Sequence, residues 1–297
     1  MYVPEFPNFR NLTREDKSLL VPFFREIQPQ ISELTFTNLF VWNGSEPVTL
    51  SRFEETVLLQ RNRIRDGKTF LLPPLGRQLL TNLIRAIRTE NVGYQVPPLY
   101  GVTSEQYELL SREGWSVEPD RDDWDYVYTI ADLTDLPGDK YHAKRNFITR
   151  CLFQHDCKYA NIGPSEINDC LSLQTQWCNL RNCSENAGLE AENTAIKTVF
   201  DNYEFLGVTG GAVYVDDKLE AFTLAEPLNK DTAVIHFEKA NPEIDGLYQV
   251  INQWFCQKTL KSFTFVNREQ DLGVPGLRKA KLSYHPHHMV EKYIVHF

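Results

Sequence analysis

The alternation of apolar and polar residues predicts one order of elements along the first half of the chain. Apolar residues such as Leu19, Phe23 and Ile27 recur at the spacing of one helix face, and the short alternating runs that follow are typical of an antiparallel meander. The predicted elements are a helix at residues 13–40, strands at 48–50, 56–60 and 69–72, a helix at 78–88, a strand at 97–102, a helix at 104–112 and a strand at 126–130.

The second half repeats this order of elements. Two independent runs of the same order indicate a degenerate internal duplication. The predicted elements are helices at residues 165–179 and 190–203, strands at 211–215, 219–225 and 233–239, a helix at 246–260, a strand at 262–266, a helical turn at 276–284 and a strand at 288–295.

The boundary between the halves is expected at residues 132–139, where Pro137 and Gly138 interrupt the pattern. We therefore expect an α/β chain with an N-terminal domain at residues 1–136, a basic linking helix at 137–160 and a C-terminal domain at 161–297. Pro73 and Pro74 stand where the first domain would have its own ligand loop. We expect that domain to be structural and the C-terminal domain to carry the active site.

Composition and charge support a globular protein and exclude some functions. The 297 residues include 42% hydrophobic and 24% charged residues, which is enough for packed cores. A net charge of −9 argues against a protein that coats DNA. The first residues show no export signal, and no run approaches the roughly 18 apolar residues of a membrane span. We expect a cytoplasmic protein without a transmembrane segment.

The cysteines and histidines do not show the spacing of a metal site. Five of the six cysteines crowd into residues 151–183, but none forms a CxxC pair, and we expect reduced thiols. The histidines His285, His287 and His288 have no carboxylate or cysteine at suitable spacing. The motifs GxSxG, GxxxxGK[ST] and HExxH do not occur. No metal is predicted.

The first candidate for chemistry is the strand-to-helix junction at residues 236–248. A loop that opens a helix presents unpaired backbone N–H groups to a phosphate, and Gly246 permits a close approach. Period-two alternation places His236 and Glu238 on one strand face, where a carboxylate can act as a general base. The alternatives are an ordinary helix cap at Gly246, an exposed charge at Glu238 and a packing role for Tyr248.

A second candidate is the segment of residues 266–284, which runs from a predicted strand through a glycine-rich loop into a short helix. Asn267 at the strand end and the cations Arg278, Lys279 and Lys281 suit a phosphate-bearing substrate. Lys279 and Lys281 point to different faces of the helix. The alternative is a solvated turn with ordinary surface lysines.

A third candidate is the basic helix at residues 140–150, which carries four Lys or Arg residues and no acid. Lys140, Lys144 and Arg145 are spaced to form one cationic side that can meet RNA phosphates or anionic lipid headgroups. The alternative is a solvated basic face that is neutralised by nearby acids.

Three segments resemble a known family. Residues 36–42, 140–146 and 267–284 are similar to an uncharacterised bacterial family that is grouped with the soluble C-terminal catalytic domain of phosphatidylglycerol lysyltransferases. The resemblance covers nearly the whole chain. It implies a tandem pair of GCN5-related N-acetyltransferase (GNAT) folds, each with a mixed, mostly antiparallel sheet flanked by helices, and a similarity to peptidoglycan aminoacyltransferases that use aminoacyl-tRNA.

In that superfamily the loop after the fourth strand cradles the pyrophosphate of acyl-CoA. The matching place here is residues 243–248, so the resemblance implies donor contacts from Gly246, Leu247 and Tyr248. Tyr248 stands where the superfamily has a second small residue, which favours aminoacyl-tRNA over acyl-CoA as the donor. The linking helix of the tRNA-using relatives is basic, as residues 140–150 are here.

The sequence therefore predicts an acyltransferase that moves an aminoacyl group from charged tRNA, or an acyl group from acyl-CoA, to an amine or hydroxyl. The acceptor is a small molecule or a lipid headgroup, and no tightly bound cofactor is expected. Glu238 and His236 are the candidate catalytic residues. The alternative is a non-catalytic ligand- or protein-binding module on a degenerate GNAT fold.

Overall fold

The computed structural model describes residues 2–76, 82, 85, 89, 95–112 and 114–296. The chain forms two compact units, one of Met1–Trp124 with Val290–Phe297 and the other of Asp125–Met289. Strands and helices are numbered along the described residues.

The first unit contains a seven-stranded mixed sheet in the order β1-β2-β3-β4-β5-β14-β6. β2, β3 and β4 form an antiparallel meander, and β4 pairs in parallel with β5. Its elements are β1 (Arg10–Asn11), α1 (Lys17–Ile27), α2 (Phe36–Trp42), β2 (Val48–Phe53), β3 (Thr56–Asn62), β4 (Thr69–Leu71), β5 (Leu99–Val102), α3 (Ser104–Arg112), β6 (Ser116–Pro119) and β14 (Tyr293–His296).

The second unit also contains a seven-stranded mixed sheet, in the order β13-β7-β12-β11-β10-β9-β8. β9, β10 and β11 form the antiparallel meander, and β11 pairs in parallel with β12. Its elements are β7 (Asp125–Thr129), α4 (Ile130–Asp135), α5 (His142–Gln154), β8 (Cys157–Asn161), α6 (Ile167–Arg181), α7 (Ala187–Asp201), α8 (Tyr203–Leu206), β9 (Thr209–Val215), β10 (Lys218–Pro227), β11 (Thr232–Ala240), α9 (Leu247–Lys258), β12 (Phe265–Asn267), α10 (Pro275–Leu282) and β13 (His288–Val290).

These units do not follow the expected domain boundaries at residues 1–136 and 161–297. β7 was predicted as the last strand of the first half, but it pairs antiparallel with β12 in the second sheet. The predicted last strand at 288–295 is two strands, and its second part, β14, lies between β5 and β6 in the first sheet. The predicted linking helix corresponds to α5, which packs in the core of the second unit through Ile148 and Cys151.

Most of the other predicted elements are confirmed with ends shifted by one to three residues. One is wrong: the helix expected at 13–40 is two helices, because Gln28 takes a left-handed conformation with φ of 48° at the end of α1 and Pro29 follows it. Strands β1, β6 and β8 and the short helices α4 and α8 have no predicted counterpart. The helix expected at residues 78–88 lies outside the described residues, apart from Asn82 and Arg85.

The core of the second unit positions the candidate site. α9 follows β11 and buries Leu247, Val250, Ile251 and Phe255 completely against the sheet. A helix with a wide apolar stripe is fixed in rotation by that burial. The polar side chains that α9 turns toward β11 are therefore held in place.

Candidate active site

The candidate site lies where two parallel strands of the second sheet separate. β11 pairs with β12 only at residues 232–234, and then continues to Ala240 whereas β12 ends at Asn267. Beyond that point, side chains from α9 and from the segment after β12 contact β11 instead. Ligands of sheets with parallel strands typically bind at the carboxyl ends of those strands.

Glu238 is a mostly buried carboxylate with a fixed orientation at this fork. Its side chain is 11% exposed. Arg268 donates from Nη2 to Oε1 of Glu238 at 2.8 Å, and Asn252 of α9 donates from Nδ2 to Oε2 at 3.2 Å. Hydrogen bonds between ionised partners are short and directional. The predicted catalytic carboxylate therefore lies in a cluster with one cation and one amide.

Arg268 is the cation of this cluster and is itself largely buried. Its guanidinium lies 5.7 Å from the ring centroid of Tyr128 and 5.1 Å from that of Tyr284. Burial lowers the pKa of Arg268, but the charge of Glu238 together with Tyr128, Tyr284 and Cys256 raises the pKa above its ordinary value. Arg268 is thus a permanent cation that two aromatic rings hold beside Glu238.

Two atoms of the cluster lack a hydrogen-bond partner among the described residues. They are Nη1 of Arg268, a donor, and Oδ1 of Asn252, an acceptor, and both are buried. Buried polar atoms are nearly always paired in folded proteins, so unpaired ones mark strain or a binding site. Here they belong to the two side chains that hold Glu238.

His236 lies at a β-bulge in β11. Leu224 pairs with Phe237, but the next residue, Ala225, pairs with Ile235, so His236 has no partner across the strands. A bulge disturbs the alternation of side chains. The period-two rule that placed His236 and Glu238 on one face therefore does not apply here.

The buried imidazole of His236 is paired with two carboxylates. Nε2 lies 2.9 Å from Oε1 of Glu226, and Nδ1 lies 2.8 Å from Oε1 of Glu269. Burial lowers the pKa of His236, but the hydrogen bonds to Glu226 and Glu269 outweigh it and raise the pKa to about 10. At neutral pH the ring is a cation that donates from both nitrogens. An imidazole in this state is not free to accept a proton, so the pairing favours a structural role for the candidate catalytic residue His236.

Arg278 is held by a buried acid while it also lines an open cleft. Asp271 is completely buried, and Arg278 donates to both of its oxygens, from Nε at 2.8 Å and from Nη2 at 2.7 Å. Burial raises the pKa of Asp271, but hydrogen bonds from Arg278 and Tyr126 outweigh it and hold the pKa at about 2. This bidentate pair fixes the loop before α10.

Asn267 and Lys281 also bind the protein itself. Asn267 donates to Asp125 at 2.9 Å and accepts from the backbone N–H of Glu269. Lys281 donates to the carbonyl oxygens of Arg268 and Glu269. Burial and then the charge of Arg268 lower the pKa of Lys281 to about 8. These two predicted donor-binding residues position the segment that carries Arg268.

Lys279 is the predicted cation of α10 that remains accessible. It is exposed and forms no ion pair among the described residues. It borders an open cleft of about 560 Å³. The other residues that line this cleft are Gly273, Pro275, Arg278, Leu282 and Ser283.

The expected cationic side of the basic helix is not present as one surface. Arg145 donates to the carbonyl oxygens of Leu136 and Gly138. Lys140, just before α5, is exposed, but its Nζ lies 3.9 Å from Oδ2 of Asp132. Arg145 is therefore engaged by backbone carbonyl oxygens, whereas Lys140 stays exposed beside an acid.

Lys144 of α5 contacts Ser283, a residue that lines the cleft. Its Nζ donates to Ser283 Oγ at 2.6 Å and lies 4.0 Å from the ring centroid of Tyr284. Burial and then the charge of Arg268 lower the pKa of Lys144 to about 8. Since Tyr284 also contacts Arg268, Lys144 links the cleft to the Glu238 cluster.

At the expected phosphate cradle, residues 246–248, the side of Gly246 where a Cβ would stand packs against α5. Gly246 has φ of 89°, and a Cβ there would lie 2.3 Å from the carbonyl oxygen of Phe147 in α5. Leu247 is completely buried, and the Tyr248 hydroxyl accepts from Trp177 Nε1 at 3.1 Å. A negatively polarised carbonyl oxygen thus packs against the glycine where a phosphate was expected, so Gly246 serves helix packing.

Sequence reasoning missed Asn252 and Arg268. Asn252 is a polar residue on the buried stripe of α9, between Ile251 and Phe255, and such a position is a detectable signal. Arg268 lies two residues beyond the end of the predicted strand 262–266, where a cation near a strand end is the corresponding signal.

The expectation of reduced thiols is corrected for one pair of cysteines. Cys178 at the end of α6 and Cys183 form a disulfide, with Cα atoms 5.0 Å apart. The other cysteines, Cys151, Cys157, Cys170 and Cys256, are free. Within the described ranges, no three His, Cys, Asp or Glu residues gather as a metal site would require. No helix in those ranges is both long and apolar enough to span a membrane.

Comparison with solved structures identifies the fold. A conserved protein of unknown function from Bacteroides thetaiotaomicron is 32% identical, with a TM-score of 0.87 over 97% of this chain and 98% of that chain. L-PGS from Bacillus licheniformis is 13% identical, with a TM-score of 0.61 over 100% of this chain and 94% of that chain. A tandem GNAT protein from the clavulanic acid biosynthesis pathway is 11% identical, with a TM-score of 0.51 over 97% of each chain. The tandem GNAT fold is thereby confirmed.

Comparison of sequences gives the family. An uncharacterised protein of Mycoplasmoides gallisepticum is 20% identical over 172 residues, which span 57% of this chain and only 55% of that protein. The family profile described as phosphatidylglycerol lysyltransferase, C-terminal, matches residues 24–296. Family and fold relate the chain to acyl- and aminoacyltransferases in general. The chain belongs to the family of the phosphatidylglycerol lysyltransferase C-terminal domain.

Proposed function

We propose that this chain transfers an aminoacyl group from charged tRNA to an amine or hydroxyl acceptor, and that its second unit carries the chemistry. The observation that carries the proposal is the buried cluster of Glu238, Arg268 and Asn252 at the fork between β11 and β12. A carboxylate and a cation held side by side supply the two charges that acyl transfer needs. The family relation, through a lysyltransferase, supports an aminoacyl group.

The packing of Gly246 and Tyr248 supports aminoacyl-tRNA over acyl-CoA as the donor. A CoA pyrophosphate needs backbone N–H groups that a ligand can approach. The carbonyl oxygen of Phe147 packs against Gly246, and the Tyr248 hydroxyl already has a partner. The open cleft beside α10 is lined instead by Lys279 and by Ser283, to which Lys144 donates.

The residues of the cluster fit the steps of the transfer. Glu238, or a water that it holds, takes a proton from the acceptor, whose nitrogen or oxygen attacks the ester carbonyl carbon. Arg268 donates to the carbonyl oxygen as that oxygen becomes negative. The intermediate then collapses, the bond to the ribose oxygen of the tRNA breaks, and that oxygen receives the proton from Glu238.

A lipid headgroup is the acceptor class that the cleft supports. Lys279 provides a cation for a phosphate, and four apolar side chains near it are unusually exposed. Exposed apolar groups beside a cation suit an amphiphilic ligand at a membrane surface. The four side chains are Leu272 at 55%, Val274 at 51%, Leu277 at 38% and Leu282 at 46% exposure.

The second candidate function is a binding module without catalysis. Arg278, Lys281, Asn267 and Arg145 are engaged by the protein's own acids and carbonyl oxygens. This arrangement is what a fold that has lost its cofactor site would show. A transfer assay separates the two functions.

The test measures transfer of a labelled aminoacyl group from charged tRNA to phosphatidylglycerol vesicles and to small amines, with acyl-CoA as the competing donor. The variant Glu238→Gln keeps the shape of the side chain but removes the base. We expect turnover to fall about a hundredfold to ten-thousandfold. Glu204→Gln, a change at an exposed glutamate of α8, serves as the control and retains full turnover.

Unchanged turnover in Glu238→Gln would remove Glu238 from the mechanism. Transfer from acyl-CoA alone would replace the proposed donor. A protein that transfers nothing from either donor, but is stabilised by one of them in thermal unfolding, would be the binding module.

A further inference from the structure

We propose that the cleft between α6 and α7 binds a small zwitterionic peptide thiol, and that this thiol reduces the Cys178–Cys183 disulfide. The inference goes beyond the proposed transfer, because the residues that line this cleft do not belong to the Glu238 cluster. Its basis is a disulfide in the wall of a polar cleft, together with two charged side chains on one face of α7.

The cleft joins the disulfide to a polar surface. Its volume is about 330 Å³, which lies at the lower end of the range for small-ligand sites. Cys178 and Cys183 both line it, although they are only 9% and 3% exposed. The rest of the lining is polar and includes Thr175 of α6 and Ser184 of the segment between the helices. A polar ligand that carries a thiol can therefore bind here and reach the disulfide.

One face of α7 carries a carboxylate, an amide and a cation along the cleft. Glu190, Asn193 and Lys197 are three and four residues apart, so they lie on one side of the helix. Glu190 and Lys197 are exposed and form no ion pair among the described residues. At 1.5 Å per residue they are about 10 Å apart along the helix axis. An extended tripeptide has about this length, so its ammonium and carboxylate groups match the two charges.

The disulfide lies beside the middle of this face. Gln174 donates from Nε2 to Cys178 Sγ at 3.4 Å and to Asn193 Oδ1 at 3.3 Å, so that sulfur and the Asn193 amide are neighbours. Nδ2 of Asn193 donates to no group among the described residues, and it is available to a peptide carbonyl oxygen. A thiol in the middle of a bound tripeptide would therefore lie next to the disulfide.

The reaction is a thiol–disulfide exchange in two steps. The thiolate of the ligand attacks Sγ of Cys183, the S–S bond breaks, and Cys178 leaves as a thiolate that takes the proton released by the ligand. The hydrogen bond from Gln174 stabilises this thiolate. A second ligand thiol then attacks the ligand sulfur of the mixed disulfide, and Cys183 leaves and takes the second proton. Two ligand thiols are oxidised to a disulfide, and the protein disulfide is reduced by the same two electrons.

The experiment compares two thiols as reductants of the full chain. Glutathione is a tripeptide thiol with an ammonium group and carboxylates, whereas 2-mercaptoethanol has no charge besides its thiolate. The rate of loss of the disulfide is measured by alkylation and mass spectrometry. Lys197→Met keeps an unbranched side chain and removes the cation, so reduction by glutathione should slow about tenfold while reduction by 2-mercaptoethanol stays unchanged. Lys261→Met, at an exposed lysine outside the cleft, should change neither rate.

A second variant locates the attacked sulfur. Cys178→Ser removes the leaving sulfur, so oxidised glutathione should form a mixed disulfide at Cys183 that peptide mass mapping detects. Cys157 is free and partly exposed, and it serves as the comparison within the same chain. Labelling of Cys157 without labelling of Cys183 would contradict access through the cleft. If Cys178→Ser does not fold, the rates of the Lys197 variant still decide.

Two results of the rate comparison would overturn the inference. One is a Lys197→Met chain that both thiols reduce at the rates of the unaltered chain, or that both reduce more slowly by the same factor. The other is a disulfide that resists glutathione but not 2-mercaptoethanol. If the purified chain contains two thiols at these positions, the same variants are compared in the reverse direction, with oxidised glutathione and hydroxyethyl disulfide as oxidants. The same selective effect of Lys197→Met is then expected, and its absence would again overturn the inference.

Discussion

The buried charges of β11 are each paired with an opposite charge on a neighbouring element. His236 is a buried cation between Glu226 and Glu269, and Glu238 lies two residues further on beside Arg268. Removing one partner from a buried pair is costly because the remaining charge is no longer compensated. His236 and Arg268 both join β11 to the segment after β12, so they maintain the width of the fork.

The pairing of His236 predicts how stability depends on pH. Its pKa in the folded protein, about 10, lies above the ordinary 6.5, so its contribution is complete below about pH 6.5 and is lost as the pH rises through 10. His236→Gln should lower the free energy of unfolding by about 3–5 kcal/mol near pH 6. Its stability should also change less between about pH 6 and pH 9 than that of the unaltered chain. Urea unfolding, followed by tryptophan fluorescence, measures both.

His155→Gln is the matched control, because His155 bonds to Asp216 in the same unit but their side chains are 30% and 61% exposed. An exposed pair contributes about 0–1 kcal/mol. Equal losses in the two variants would contradict the structural role of His236.

The sequence predicts Glu238 and misses its partners for one physical reason. An acid near the end of a predicted strand is visible in a local pattern, whereas its contacts with Asn252 and Arg268 join residues 14 and 30 positions away. The same limit affected Lys281 and Arg278: their charge is visible in the sequence, but the buried acid and carbonyl oxygens that engage them are set by tertiary packing. Of the three cations predicted on α10, Lys279 is exposed and borders the open cleft.

At the scale of elements, the N-terminus of α9 shows how a predicted ligand site becomes a packing site. The strand, loop, glycine and helix were all predicted, and the structure contains them. The close approach that Gly246 permits is made by α5, whose Phe147 carbonyl lies against it. Local pattern indicates that a close contact occurs, but it does not identify which group makes the contact.

This packing role gives a prediction with a matched control. Gly246→Ala adds a Cβ that would lie 2.3 Å from Phe147 O at a residue with φ of 89°. We expect a loss of about 2–5 kcal/mol in the free energy of unfolding. Gly276→Ala in α10 meets nothing within 4 Å, and it should be neutral or stabilise by about 0.5–1 kcal/mol.

Thermal and urea unfolding of the two variants provide the measurement. If Gly246→Ala weakened acyl-CoA binding but left stability unchanged, residues 246–248 would be a phosphate site, as the sequence predicted. That result would also remove the argument for aminoacyl-tRNA that rests on the closed loop.

At the scale of the whole molecule, the duplication is real but its two copies exchange strands. In each sheet a meander ends in a strand that pairs in parallel with its neighbour, β4 with β5 and β11 with β12. Beside this parallel pair, each sheet contains a strand from the other half of the sequence. β14 pairs with β5 in the first sheet, and β7 pairs with β12 in the second. A sequence pattern gives the order of strands along the chain but not their pairing, so the domain boundary could not be predicted from it.

The exchange makes the stability of the first unit depend on the last strand. Lys292, just before β14, is completely buried, and its Nζ lies 2.7 Å from both carboxylate oxygens of Glu33. β14 itself is an inner strand, where Ile294 pairs with Tyr100 on one side and Glu118 on the other. A proline lacks the N–H that such a strand needs, and it is poorly tolerated there.

We therefore predict that Ile294→Pro destabilises the first unit by about 3 kcal/mol or more. Ile294→Val, which keeps the backbone donor and loses one methyl group, should cost only about 0.5–1.5 kcal/mol. Amide hydrogen exchange, read by mass spectrometry on β2, β3 and β5, measures the effect. These strands should exchange much faster in the proline variant, because the sheet loses a strand from its interior. If they keep their protection, β14 is not required for that sheet, and a first domain that ends before residue 136, as the sequence suggested, would be restored.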